Sequence, residues 1–308
     1  MNETVAAIDC GTNAIRLLVA ETSEGGVSKD LVREMRTVRL GEGVDQTREF
    51  SQQALDRTFV ACQEYADMLR KFNVKKIRFI ATSASRDVTN RLDFTKGVES
   101  ILGVTPEIIS GREEAELSYI GAISGFDPEP RQPILVADIG GGSTEFVMRE
   151  SPTTFAAQSI DVGCVRMTER YLHSDPPTES EVEETIAEIH RGLGQVRVQL
   201  PIDEVRSFIG LAGSVTTMAA MSLGLSEYNP AMIHGTILSL RQVELVTDQL
   251  VHMTRAQRAQ LGFMHPGRVD VIGGGALVLR ESMRQLNLSH VVVSEHDLLD
   301  GVVARLTS

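Results

Sequence analysis

The apolar and polar positions at the start of the chain follow the period of β-strands. Apolar runs over residues 4–8 and 15–19 flank a short polar turn, which predicts a strand, a tight turn and a second strand. Residues 134–148 repeat the pattern, because an apolar run ends at Asp138, three glycines follow, and an alternating run begins at Glu145. The chain is therefore predicted to contain the same hairpin twice.

The sequence between and after the two hairpins alternates between strand and helix patterns. Helical spacing covers residues 51–72, 89–102 and 178–198, and strand patterns cover residues 27–40, 76–81, 107–109, 155–161 and 207–212. This alternation is typical of an α/β fold. A duplicated hairpin and 308 residues favour two similar domains, and the Pro- and Gly-rich stretch 124–133 predicts their limits as 1–126 and 127–308.

Composition narrows the class of protein. The chain is 42% hydrophobic and 23% charged, as expected of a globular protein. Its net charge of −12 argues against binding nucleic acid or an acidic membrane through the whole surface, so a polyanionic substrate would need a local basic pocket. The chain has three cysteines without CxxC spacing, which predicts neither a disulfide framework nor a zinc site. We find no signal-peptide pattern and no transmembrane run, and we therefore expect a cytoplasmic protein.

Glycine-rich turns are the first candidate binding elements. Backbone N–H groups in such turns approach anions closely, and a helix N-terminus also attracts them. Two candidate turns connect the strands of the hairpins, at residues 11–13 and 140–143. A third candidate is Gly213-Ser214, which follows a strand and opens a helix. The alternative for each hairpin turn is a tight connection without a ligand.

Polar side chains at two element ends are the second group of candidates. Ser83 and Arg86 follow the buried strand 76–81, where α/β folds place ligand contacts. Ser110 and Glu113 have capping-box spacing, so Glu113 has a structural task, and Glu114 points about 100° away from it around the helix. Two interpretations of Glu114 stay open at this point: a carboxylate that stabilises the helix dipole, or a catalytic group.

Five motifs in order carry a family resemblance. They are Asp-Cys-Gly-Thr-Asn, Ala-Thr-Ser-Ala-Ser-Arg-Asp, Ile-Ser-Gly-Arg-Glu-Glu-Ala, Asp-Ile-Gly-Gly-Gly-Ser-Thr-Glu and Gly-Leu-Ala-Gly-Ser-Val-Thr-Thr. With them the chain resembles the exopolyphosphatase / guanosine pentaphosphate phosphohydrolase family over almost its whole length. The resemblance implies two duplicated α/β domains of the actin/Hsp70/acetate-kinase-like, ribonuclease H-like class around a central cleft, with a C-terminal helix near 298–308 that packs back on the first domain.

The resemblance also implies roles for the candidate residues. Glu114 would be the general base that activates water, and Ser83 with Arg86 would bind the terminal phosphoryl group. Asp138, together with Glu145, would hold Mg²⁺ or another divalent cation. The phosphate-binding set would be Gly11, Thr12, Asn13, Gly140, Gly141, Gly142 and Ser143, to which the helix start adds Gly213 and Ser214. Asp9 and Arg39 are further candidates, while Arg36 and Arg39 either line the phosphate path or lie on a solvated strand face.

Three function hypotheses follow. The first is release of terminal phosphate from polyphosphate or from guanosine pentaphosphate, by a cytoplasmic enzyme that forms homodimers as the family commonly does. Longer family members have a further C-terminal helical region, which leads us to expect a preference for short chains or the nucleotide. The second is a nucleotide-binding regulatory module without turnover. The third is a small-molecule kinase, although no glycine turn is followed by the Lys-Ser or Lys-Thr of a P-loop.

Overall fold

The computed structural model describes residues 3–23, 26–151 and 154–306. The strands are β1 (Glu3–Cys10), β2 (Ala14–Ser23), β3 (Gly26–Thr37), β4 (Lys76–Ala81), β5 (Glu107–Ile108), β6 (Ile134–Ile139), β7 (Thr144–Ser151), β8 (Thr154–Ile160), β9 (Ser207–Leu211), β10 (Ile237–Ser239) and β11 (His290–Val293).

The helices occupy most of the remaining described sequence. They are α1 (Val44–Thr47), α2 (Gln52–Lys71), α3 (Ser83–Arg86), α4 (Arg91–Leu102), α5 (Gly111–Ser124), α6 (Cys164–Tyr171), α7 (Glu179–Gln199), α8 (Ala212–Ser222), α9 (Pro230–Ile233), α10 (Leu240–His252), α11 (Arg255–Ala259), α12 (Ile272–Gln285) and α13 (Leu298–Leu306). Short 3₁₀ turns lie at Ile202–Glu204 and Pro266–Arg268. In the described ranges, no helix has both the length and the apolar character that a bilayer crossing needs.

Local signals explain where several helices begin. Thr178 and Glu181 form a complete capping box at the start of α7, and the Ser51 side chain accepts a hydrogen bond from the first turn of α2. At the start of α5, Ser110 Oγ accepts from the Glu113 N–H at 3.2 Å. The predicted starts of these three helices are confirmed.

Two sheets have the same core topology. The first has strand order β3-β2-β1-β4-β5, and the second has order β10-β11-β9-β6-β7-β8. In each, three antiparallel strands are followed in space by parallel strands, because β1 pairs with β4 and β6 pairs with β9 in parallel register. The duplicated α/β fold predicted from the two hairpins is therefore confirmed.

The parallel pairings place chemistry-bearing segments side by side. Cys10 at the end of β1 lies opposite Ala81 at the end of β4, so the first hairpin turn is next to the start of α3. Asp138 near the end of β6 lies opposite Leu211 at the end of β9, so the second hairpin turn is next to the start of α8. Neighbouring carboxyl ends of parallel strands are where such sheets bind ligands.

The chain forms two compact units. The first contains Met1–Gly121 together with Leu298–Ser308, and the second contains Ala122–Asp297. In the first unit α13 contributes Leu298, Leu299 and Val302 to a buried cluster with β1 and β2. The C-terminal helix thus belongs to the first unit over its described length, while residues 307–308 lie outside the described part; the domain limits 1–126 and 127–308 stay a prediction.

Candidate active site

The two hairpin turns are closed by equivalent hydrogen bonds. In the first unit Gly11 N donates to Ala14 O at 3.0 Å, and in the second unit Gly140 N donates to Ser143 O at 3.0 Å. Each glycine lies two residues after the aspartate of its hairpin, Asp9 or Asp138. The duplication therefore extends from strand order to individual backbone bonds.

A neighbouring loop holds the carbonyl groups of the first turn. Gly41 N donates to Thr12 O at 2.8 Å and Arg39 N donates to Asn13 O at 2.9 Å. Thr12 Oγ1 and Ser83 Oγ are 2.9 Å apart and buried, which links the turn to the start of α3. The structure thus brings together two groups of predicted phosphate-binding residues that are far apart in sequence.

Two adjacent glutamates at the start of α5 have different partners. Glu114 Oε2 accepts from Arg86 Nη1 at 2.7 Å, and the same nitrogen donates to Ile109 O at 3.1 Å. Glu113 Oε1 instead accepts from Arg78 at 2.7 Å. The Glu113 side chain is 36% exposed, whereas that of Glu114 is 9% exposed. The predicted divergence of these neighbours is confirmed, and the predicted base lies against the predicted phosphoryl-binding arginine.

Arg36 and Arg39 differ in their surroundings. The Arg36 guanidinium is bound by Glu34 and Glu64 at 2.7 and 2.8 Å, and the hydrogen bonds from both carboxylates raise its pKa further. These contacts favour the strand-face alternative for Arg36. Arg39 is half-buried beside the first turn and has a left-handed backbone, with φ of 49°, which is uncommon outside glycine. Its role in phosphate binding stays a prediction.

The second turn is fastened to the start of α6 through its carbonyl groups. Cys164 N donates to Gly140 O and Val165 N donates to Gly141 O, each at 2.9 Å, and Arg166 Nε donates to Gly142 O at 2.7 Å. In a trans peptide the C=O and the following N–H point in opposite directions. The three N–H groups that follow these carbonyls therefore point away from α6 together, which is the arrangement of an anion-binding nest.

The two hairpins differ in the charge of the residue that is paired with the aspartate. In the first hairpin Asp9 is paired with Arg16, whose Nε donates to Asp9 Oδ2 at 2.9 Å. In the second hairpin Asp138 is paired with Glu145. Directly paired residues on antiparallel strands lie on the same face about 5 Å apart. The first pair forms a salt bridge, whereas the second brings two buried acidic residues to the same face of the sheet.

The carboxylate pair fits a magnesium ion. Glu145 Oε1 accepts hydrogen bonds from Ser143 Oγ and Ser159 Oγ, each at 2.7 Å, which fix the orientation of the carboxylate. Within the described ranges, no three or more His, Cys, Asp or Glu side chains are arranged to hold a metal. Mg²⁺ commonly takes one or two carboxylates and completes its shell with water and substrate phosphate, so Asp138 and Glu145 are the residues that would hold it.

The start of α8 is tightly packed. Ala212 has a left-handed φ of 69°, and a Cβ on Gly213 would lie 2.3 Å from Nε of Arg268. Arg268 also donates to Thr217 Oγ1 at 3.1 Å. The Ser214 hydroxyl is directed inward, because a Cβ on Gly275 would meet it at 2.1 Å. Arg268 thus lies against the helix start that is predicted to bind an anion. At this helix start, Ser214 would contribute its backbone N–H to the anion and not its hydroxyl.

His234, Cys10 and the glycines of α12 have packing roles. His234 stacks on Phe126 with ring centroids 4.7 Å apart, and its Nε2 donates to Gly125 O at 2.8 Å. Cys10 is 1% exposed, and burial raises the pKa of its thiol. A Cβ on Gly274 would lie 2.8 Å from the backbone oxygen of Cys164, so the glycines of α12 permit close packing against α6.

Sequence reasoning missed three arginines: Arg16, Arg166 and Arg268. The hairpin register contained a signal for Arg16, since closing the turn between Gly11 and Ala14 sets Arg16 opposite Asp9. Arg166 lies in the segment that opens α6, and Arg268 immediately precedes the segment that leads into α12. Their contacts depend on how helices pack onto the turns, which no local spacing specifies.

Comparison with known proteins places the chain in a family. Residues 18–308 match the model of the Ppx/GppA phosphatase family. The chain is 44% identical to exopolyphosphatase 2 of Mycobacterium tuberculosis, over 98% of each protein. It is similar to the crystal structure of an exopolyphosphatase-like protein, with 40% identity and a TM-score of 0.94 over 99% of this chain and 98% of that one. It is also similar to the crystal structure of the Aquifex aeolicus Ppx/GppA family member, with 27% identity and a TM-score of 0.82 over 99% of this chain and 98% of that one. The chain belongs to the Ppx/GppA phosphatase family.

Proposed function

We propose that this protein is a magnesium-dependent exopolyphosphatase, which hydrolyses the terminal phosphoanhydride bond of inorganic polyphosphate. The observation that carries the proposal is the 2.7 Å contact between Glu114 and Arg86. It joins a carboxylate that can accept a proton from water to a cation that can bind the phosphoryl group under attack. The 44% identical relative, which is named an exopolyphosphatase, supports this substrate class.

Glu114 is the general base in this proposal. A water oxygen attacks the terminal phosphorus while Glu114 accepts its proton, and the bond from phosphorus to the bridging oxygen breaks. The products are inorganic phosphate and a chain shorter by one phosphate. Arg86 holds the Glu114 carboxylate and, with Ser83, orients the terminal phosphoryl group.

The remaining groups stabilise negative charge on the substrate. Phosphoryl transfer needs little covalent catalysis and much charge stabilisation. In each unit, the backbone N–H groups of the hairpin turn would contact phosphate oxygens, and in the second unit the start of α8 would add to them. Asp138 and Glu145 would hold Mg²⁺, which neutralises phosphate charge when bound.

A substrate panel tests the proposed function. Phosphate release is measured with Mg²⁺ on polyphosphates of graded length, on guanosine pentaphosphate, and on ATP with candidate acceptors. The proposal predicts release from polyphosphate and a higher kcat/KM for it than for the nucleotide. A higher value for guanosine pentaphosphate would assign the nucleotide phosphohydrolase activity, acceptor phosphorylation would assign a kinase, and binding without release would assign a regulatory module.

The proposed metal site has a matched pair of variants on one strand. Glu145→Gln removes a buried carboxylate of β7, and Glu150→Gln removes an exposed one from the same strand. We expect Glu145→Gln to raise the half-saturating Mg²⁺ concentration at least tenfold, because one of two protein ligands is lost. Glu150→Gln should leave it unchanged; equal Mg²⁺ dependence of the two variants would exclude Glu145 as a ligand.

A further inference from the structure

Arg166 contacts the glycine turn with both its backbone and its side chain. Its backbone N donates to Gly141 O at 3.1 Å, and its Nε donates to Gly142 O at 2.7 Å. The residue is 9% exposed, and its guanidinium lies 3.9 Å from the Asp161 carboxylate, whose side chain is 81% exposed. This buried cation therefore contacts a peptide carbonyl of the turn directly.

The contact acts on one particular N–H group. Gly142 C=O and Ser143 N–H belong to the same peptide plane and point in opposite directions. Fixing the carbonyl toward α6 fixes the N–H on the other side of the turn. A charged donor on the carbonyl also polarises the peptide, which makes its N–H a stronger donor to an anion.

Burial of a guanidinium is costly unless it is well bonded. An aliphatic side chain at this position would pack α6 against the turn without that cost. The neighbouring Arg170, one turn later on α6, has its cation near Glu188 at 3.8 Å and is more exposed, as expected of an ordinary surface arginine. The two arginines of one short helix therefore differ in what they contact.

We propose that Arg166 is a positioning residue for phosphoryl transfer, which orients and polarises the Ser143 N–H through the Gly142 carbonyl. The proposal rests on the proposed function, because it assigns the turn to the substrate's phosphate oxygens. The N–H matters most when charge grows on those oxygens in the transition state, so loss of Arg166 should lower kcat more than it raises KM.

Three variants test the proposal. Arg166→Met removes the charge and the donor at similar length, Arg166→Lys keeps a cation with one possible donor to the carbonyl, and Arg170→Met is the control on the same helix. Folded fractions are measured by urea unfolding, and kcat and KM for polyphosphate are corrected for them. We expect Arg166→Met to lower kcat about tenfold or more with KM changed less than threefold, Arg166→Lys to recover part of the loss, and Arg170→Met to match the wild type.

Two outcomes of the kinetic test would count against the proposal. An unchanged kcat in Arg166→Met would overturn the proposal. A lower kcat that is fully explained by a smaller folded fraction, and that is equally low in Arg166→Lys, would also overturn it. If the wild-type protein releases no phosphate, the proposed function has failed, and the variants are compared by calorimetric binding of tripolyphosphate. Tenfold weaker binding by Arg166→Met would then still support positioning of the turn, whereas equal binding, or none by the wild type, would overturn it.

Discussion

Gly163 is the residue whose substitution most directly disturbs the second turn. Its backbone is extended, with φ of −138°, so alanine is allowed there by conformation. A Cβ would nevertheless lie 2.4 Å from Gly141 O and 2.7 Å from Gly142 C. The first of these is about 1 Å shorter than an ordinary contact, and both neighbours are backbone atoms that cannot rotate away. Gly163→Ala must therefore move either α6 or the turn.

The size of the effect follows from what has to move. Overpacking of this kind costs about 1–3 kcal/mol, and each of the hydrogen bonds from α6 to the turn contributes about 0.5–1.5 kcal/mol. We expect a loss of about 2–4 kcal/mol, or roughly 4–16 °C in Tm for a unit of this size. A displaced turn also misplaces its N–H groups, and a shift near 1 Å lowers kcat/KM on the order of 100-fold.

The matched control is Gly194→Ala on α7 in the same unit. A Cβ on Gly194 meets no atom within 4 Å, and the residue is exposed within the helix. This substitution should raise the free energy of unfolding by about 1 kcal/mol and leave kcat/KM unchanged. If Gly163→Ala keeps the wild-type Tm and wild-type phosphate release beside this control, the contact between Gly163 and the turn does not restrict the residue at this position.

Three further predictions concern stability. Ala212→Gly should raise the free energy of unfolding by about 1 kcal/mol in urea, because it relieves the left-handed φ of 69°; a destabilised variant would contradict this. Burial raises the pKa of Glu281, but hydrogen bonds from His190 and Arg280 outweigh burial, so the pKa is lowered in the folded protein. The stability that this carboxylate contributes is therefore present above its unfolded-state pKa and is lost as the pH falls through its folded-state pKa. Glu281→Gln should accordingly reduce the fall of Tm at acidic pH. Gly301→Ala should lower Tm by several degrees, because its Cβ would collide with the Leu117 carbonyl oxygen under α13, and an unchanged Tm would show that α13 adjusts freely.

Local sequence predicted the elements that local physics determines. The hairpins, the strand β4 and the helices α2 and α7 follow from periodicity, turn glycines and caps. The divergence of Glu113 and Glu114 followed from helix geometry alone, and the structure gives each glutamate its own arginine.

What the sequence did not predict depends on contacts between distant segments. Arg166 acquires its position only when α6 packs onto the second turn, and Arg268 acquires its position only when the 3₁₀ turn Pro266–Arg268 packs against the start of α8. The charge reversal between the hairpins required the register, since Arg16 and Glu145 occupy equivalent positions only once both turns are closed in the same way. The short helices α9 and α11 carry too few residues for a periodic signal.

In the proposed function, Glu114 activates water for hydrolysis of a terminal phosphoanhydride. The most direct measurement is kcat for phosphate release from polyphosphate by Glu114→Gln beside Glu113→Gln, with folding checked for both. We expect Glu114→Gln to lower kcat about 10²–10⁴-fold, the usual contribution of a general base, and Glu113→Gln to stay within about threefold of the wild type. Equal activity of the two variants, or a larger loss in Glu113→Gln, would contradict it.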